Sequence, residues 1–124
     1  MFSHIMIGTN DLPRAKAFYD TLLATLGVPA AHIDGNRIFY MTPTGIFSVS
    51  VPIDGAPATI GNGSTIGFAC ASSEQADAWH VAGLAAGGAA CEDPPGMRTG
   101  SNGKLYLAYL RDPDGNKLCA LHRM

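Results

Sequence analysis

Charge is scarce in this chain, and its scarcity removes several classes of partner at once. Only 15% of the 124 residues are Asp, Glu, Lys or Arg, the formal net charge is -2, and Lys and Arg cluster nowhere. A nucleic acid is held through a basic patch that neutralises phosphates, so no nucleic-acid partner is expected. No apolar run approaches the roughly 20 residues a spanning helix needs, and no membrane partner is expected either. The opening residues, Met1 to Ile7, carry no positively charged segment and run directly into a strand pattern, unlike a secretion signal. Cysteine is limited to Cys70, Cys91 and Cys119, an odd number without C-x-x-C spacing. Set in apolar strand-like stretches, they are expected to be reduced thiols in a cytoplasmic protein.

Apolar residues, by contrast, are plentiful: 47% of the chain is hydrophobic, enough to bury a core at this length. Phe2 to Thr9 is a short apolar run closed by Asn10-Asp11 and suits a buried strand. Leu12, Ala15, Phe18, Leu22 and Leu26 then recur at helical spacing, with Asp11 as cap, Pro13 in the first turn and Gly27 as terminator. Further strands are expected around Ala31 to Asp34, Arg37 to Thr42 and Ile46 to Pro52, separated by Asp34-Gly-Asn36 and Pro43-Thr-Gly45. Residues 54–63 are rich in Gly, Ala and Pro and read as a linker.

The pattern then begins again. Ile5 matches Ile66, Ala15 matches Ala76, Ala17 matches Ala78, Phe18 matches Trp79, Leu23 matches Leu84 and Gly27 matches Gly88, each pair 61 positions apart. The chain reads as one domain built from a duplicated unit, about 1–53 and 64–124, with Ser72 and Gln75 forming a capping box for the second helix. The match drifts after Ala89, where Pro94 to Gly103 is expected as an extra loop before the last hairpin. That hairpin is clear: Leu105 to Arg111, the turn Asp112-Pro-Asp-Gly-Asn116, and Lys117 to His122.

A strand ending in aromatic and arginine, followed by D-P-D-G-N and another apolar strand, resembles the last hairpin of the vicinal oxygen chelate superfamily of glyoxalase I, bleomycin-resistance proteins and extradiol dioxygenases. The resemblance implies an α+β fold in which two tandem βαβββ units form a cupped mixed sheet. It also implies metal ligands on the first and last strands of each unit. His4 stands at the first such place, Thr65 at its repeat partner, Ser48, Val49 or Ser50 at the end of the first unit, and Cys119 where a glutamate is usual. Hard divalent ions favour oxygen and imidazole, and an extradiol iron centre uses two histidines and a carboxylate, so this set predicts no cofactor; a divalent metal is the alternative.

Two functions are compatible with these residues. One is a glyoxalase-like lyase or isomerase, or a metal-free variant, acting on a small oxygenated or thiol-conjugated molecule with His4 and Cys119 as catalytic candidates. The other is a metal-free binding protein that sequesters a small molecule, although Glu92-Asp93 is the only acidic run to attract a cationic antibiotic. In either case Ser50, Thr65, Arg37, Tyr40, Arg98 and Tyr106 are candidate ligand-binding residues on strands or on the extra loop. Asp77 with His80, His32 and His122 have surface readings beside functional ones. The resemblance, with the low charge, also implies a homodimer.

Overall fold

The computed structural model describes residues 1–101 and 103–124. The first unit comprises β1 (His4–Gly8), α1 (Leu12–Ala24), β2 (His32–Asp34), β3 (Arg37–Thr42) and β4 (Gly45–Ser50). The second comprises β5 (Ile66–Ala69), α2 (Ser73–Ala85), β6 (Ala89–Ala90), β7 (Gly96–Gly100), β8 (Gly103–Arg111) and β9 (Lys117–Arg123). The first sheet runs β1-β4-β3-β2, the second β5-β9-β8-β6 with β7 also paired to β8. In each, the first strand lies parallel to the last, Ile5 beside Phe47 and Ile66 beside Leu118, while the remaining pairs are antiparallel. This is the α+β architecture expected.

Both helices begin and end as their residues dictate. Asp11 accepts from the Arg14 N–H (3.0 Å) and Ser72 from the Gln75 N–H (3.1 Å), satisfying first-turn donors. Gln75 returns its side-chain oxygen to the Ala71 N–H, one residue earlier than a strict capping box places it. At the far end of α1, Val28 N–H donates to the Leu23 carbonyl and Gly27 N–H to that of Ala24, with Gly27 at φ +77°. In α2 the same bonds run from Gly88 to Gly83 and from Gly87 to Leu84, so Gly87, at φ +109°, does the work that the sequence match gave to Gly88.

One face of each sheet is covered by helix. Ile38, Tyr40, Phe47 and Val49 meet Ala15, Phe18, Tyr19, Leu22 and Leu23 of α1, and Ala108, Leu110, Leu118 and Ala120 meet Ala76 and Trp79 of α2, in one continuous core. The two helices pack together because α2 is narrow at Gly83, where an added Cβ would lie 2.1 Å from a Leu110 methyl and 3.0 Å from one of Leu22. The repeat is imperfect: Phe18 and Trp79 are equally buried, but Leu23 is core whereas its match Leu84 is exposed.

The run Pro94 to Gly103 is not a loop throughout. Residues 96–100 form β7, pairing Met97 with Tyr106 and Arg98 with Leu105. Its glycines and prolines hid a strand whose partner supplies the order. The edge strand of this sheet is thereby split into β6 and β7 by residues 91–95, where Glu92 takes a positive φ of 56°. Between helices and last strands the spacing of the units grows from 61 to 71 (73 to 12, then 118 to 47), a ten-residue insertion.

Candidate functional site

The Asp112-Pro-Asp-Gly-Asn116 turn does more than reverse the chain. Asp112, 5% exposed, accepts from the Tyr19 hydroxyl (2.6 Å), the Asp114 N–H (3.0 Å), and both the backbone (2.9 Å) and side-chain (2.9 Å) N–H groups of Asn116. Burial, then the charge of Asp112, push the Tyr19 phenol well above its ordinary pKa. Asp114 reaches the first unit, accepting from the Thr9 hydroxyl (2.5 Å), the Asn10 N–H (2.9 Å) and the Arg14 guanidinium (2.8 Å). Asn116 donates to the Gly8 carbonyl (3.2 Å), and Asn10 exchanges two hydrogen bonds with Ala58 of the linker. The motif is a clasp that ties the second unit to the β1–α1 junction of the first.

Among the described residues the equivalent turn of the first unit, between β3 and β4, makes no such tie. A cavity of about 290 Å³ opens there between β1 and β5. Phe47 and Phe68, ring centroids 5.3 Å apart and edge to face, form its wall together with Leu23, Leu26, Ile66 and the Tyr40 ring. The polar groups are Ser3, His4, Thr42 and Thr44. Ser3 Oγ and His4 Nδ1 are 2.8 Å apart, and Thr42 donates to the Gly45 carbonyl (2.7 Å) with Thr44 Oγ1 3.3 Å away. The Cβ that Gly67 lacks would meet nothing within 4 Å, but by register it points to the face of Cys119, away from Ile66 and Phe68.

The structure distributes the sequence-derived candidates over several places. His4 and Tyr40 share the cavity, but the Tyr40 hydroxyl turns to α1 and donates to Asp20 (2.8 Å). Burial, then that carboxylate, raise the Tyr40 pKa. Burial works against the charge on Asp20, yet hydrogen bonds from Lys16, the Ala31 N–H and Tyr40 outweigh it and hold that pKa below the ordinary value. Thr65 is exposed, immediately before β5. Arg37 and Ser50 are cross-strand partners bordering a separate groove of about 440 Å³ with Asp34 and Asn36. Arg98 donates to the carbonyls of Asp93 and Pro94, bracing its own strand. Tyr106 lies on the helix side and donates to Asp77 (2.7 Å), and His122 Nδ1 is 3.1 Å from the Cys70 carbonyl.

Cys119 lies on the sheet face away from α2, paired with Tyr109 and beside Gly67. It is 5% exposed, and burial pushes its thiol up to about 11, so it is a neutral thiol at physiological pH. The places equivalent to the family's metal ligands hold His4, Ser48, Thr65 and Cys119. Ser48, 0% exposed, spends its hydroxyl on the Ile5 carbonyl (3.3 Å). Among the described residues no three His, Cys, Asp or Glu side chains converge on a point, so the donors do not fit the metal this superfamily implies. The cavity was invisible in the sequence, because it depends on how the edges of β1 and β5 are set against each other.

Two units with parallel first and last strands, joined by the D-P-D-G-N clasp, define a class, and comparison with known proteins agrees. The Glyoxalase/Bleomycin resistance protein/Dioxygenase superfamily model matches residues 1–120, and the chain belongs to that superfamily. A glyoxalase/bleomycin resistance protein from Albidiferax ferrireducens T118 is 62% identical over 99% of both chains, with a TM-score of 0.98. A glyoxalase-related enzyme from Fulvimarina pelagi (18% identity, 99% of this chain and 88% of that one, TM-score 0.74) shares the fold. So does a lactoylglutathione lyase from Agrobacterium tumefaciens (19% identity, 98% and 92%, TM-score 0.68). No curated protein matches the chain. Among the described residues no helix is long and apolar enough to cross a membrane.

Proposed function

We propose that this chain is a metal-free binding protein for a small molecule, held in the cavity between β1 and β5. The observation that carries the reading is the cavity's make-up: an aromatic and aliphatic wall with a few hydroxyls and one imidazole, the composition of a ligand pocket. Its volume of about 290 Å³ lies at the lower end of the roughly 300–1,000 Å³ such pockets span, which favours a one- or two-ring molecule over a glutathione conjugate or a large antibiotic. Binding is favoured over lyase chemistry because the lyase reading needs a base and a metal centre. Cys119 is a neutral thiol outside the cavity, and among the described residues no metal-donor cluster forms.

The test exploits two features. Trp79, the only tryptophan, has its ring 6.3 Å from that of Phe68, so its fluorescence reports on the cavity wall. Phe68→Ala removes the ring that faces Phe47 in the cavity wall. Titration with 2-naphthol is expected to shift Trp79 emission and raise the melting temperature of the parent protein. Phe68→Ala should keep a cooperative melting transition and lose at least tenfold in affinity; unchanged binding in that variant would place the ligand elsewhere.

The same reading includes a second copy of the chain as partner. The sheet face opposite α1 exposes Met6 and Met41 beside partly buried Phe39 and Ile46, an apolar surface for a homodimer. Sedimentation at micromolar concentration is expected to give the dimer mass; a monomer would remove that part of the proposal.

A further inference from the structure

The residues around the cavity also bear on the charge of its ligand. Among the described residues that line it there is no Asp, Glu, Lys or Arg; His4 and Tyr40 are the only titratable ones, and the Tyr40 hydroxyl is already given to Asp20. Two of the three lining hydroxyls, Ser3 and Thr44, and the His4 imidazole are exposed. The Thr42 hydroxyl donates to the Gly45 carbonyl and acts as an acceptor toward Thr44 Oγ1, 3.3 Å away, with one lone pair left over. Imidazole and hydroxyls therefore ring an apolar body site.

Resting on the reading of the cavity as a binding site, we propose that its ligand class is a planar aromatic molecule bearing a hydroxyl or a carboxylate, and that cationic molecules are excluded. The aromatic body lies against Phe47 and Phe68, where offset and edge-to-face contacts add to the area buried. A hydroxyl head both donates and accepts, matching Ser3, Thr42 and Thr44. A carboxylate finds a donor in His4. An ammonium head would find no carboxylate among the described lining residues to pair with it, whereas a carboxylate has the His4 N–H. The same argument separates this cavity from the cleft a basic drug needs.

Three probes with one body decide it: 2-naphthol, 2-naphthoate and (2-naphthyl)methylammonium, titrated by Trp79 fluorescence and melting temperature in the parent protein, in Phe68→Ala and in His4→Ala. Naphthol and naphthoate are expected to bind, with the ammonium compound at least tenfold weaker. His4→Ala should lower naphthoate affinity to about that of the ammonium probe while naphthol, still served by the threonines, falls less. Ammonium binding as tight as the other two, or naphthoate binding indifferent to His4→Ala, would overturn the head-group assignment with the cavity still in place. Binding of no probe, or binding that survives Phe68→Ala undiminished, would instead overturn the cavity reading and this inference with it.

Discussion

The seam between the two units is built from equivalent parts that end differently. At one end the β8–β9 turn inserts Asp112, Asp114 and Asn116 into a network that reaches Thr9, Asn10, Arg14, Tyr19 and the Gly8 carbonyl. At the other, the β3–β4 turn offers Pro43 and Thr44, neutral and short, and leaves a cavity against Ile66 and Phe68. The duplicated fold thus uses one copy of a turn for cohesion and leaves a cavity beside the other. Stability should therefore concentrate at the clasped end and ligand sensitivity at the open one.

The largest effect is expected from Asp112→Ala. It strips partners from a buried phenol and from both N–H groups of Asn116, and groups left unsatisfied cost about 1–3 kcal/mol each, so a loss of roughly 3 kcal/mol or more should appear in urea unfolding. A change under about 1 kcal/mol would mean the clasp is ornamental. Next is Gly88→Ala: its Cβ would fall 2.9 Å from the Gly83 carbonyl and 3.0 Å from that of Arg111, backbone atoms that cannot step aside. Overpacking of this kind costs about 1–3 kcal/mol. At the open end, His4→Ala and Thr44→Ala touch exposed side chains and should stay within about 0.5 kcal/mol of the parent. A loss there as large as at Asp112 would erase the contrast.

Titration gives a gentler probe of the same contrast. Cys119, raised to about 11 by burial, and the raised Tyr19 and Tyr40 stay protonated in the fold while the unfolded chain ionises. Their contribution is whole below about pH 9 and is lost as pH rises toward 11. Asp20, held low, acts oppositely: its contribution is present above the ordinary carboxylate range and is lost as pH falls through its depressed value. Unfolding free energy measured from pH 3 to 11 should fall at both extremes, and Cys119→Ser should soften the alkaline fall; an alkaline limb untouched in that variant would deny the buried thiol its part.

Much of the frame was legible in the residues. Leu12 opens the first helix, Arg37 to Thr42 is a strand, and the 61-residue match places both helices, because apolar periodicity and caps are local signals. What escaped was relational. The strand Gly96–Gly100 is composed like a loop and is ordered by its partner β8. Tyr40 and Tyr106 sit on the helix side of their sheets, a parity that register alone settles. The clasp did leave a trace: a hairpin needs Gly115 and Asn116, and two aspartates beside them exceed what reversal of the chain requires. The cavity left none, since no stretch of sequence contains both of its walls.

The most direct test of the account is a methyl NMR titration with 2-naphthol on protein labelled at Ile and Leu. The account predicts shifts at Ile5, Ile46, Ile66, Leu23 and Leu26 around the cavity, with Leu105, Leu107 and Leu121 on the second sheet unmoved. Shifts confined to those last three residues would put the ligand on the sheet face beside Cys119 and contradict the assignment of the open end of the seam as the binding site.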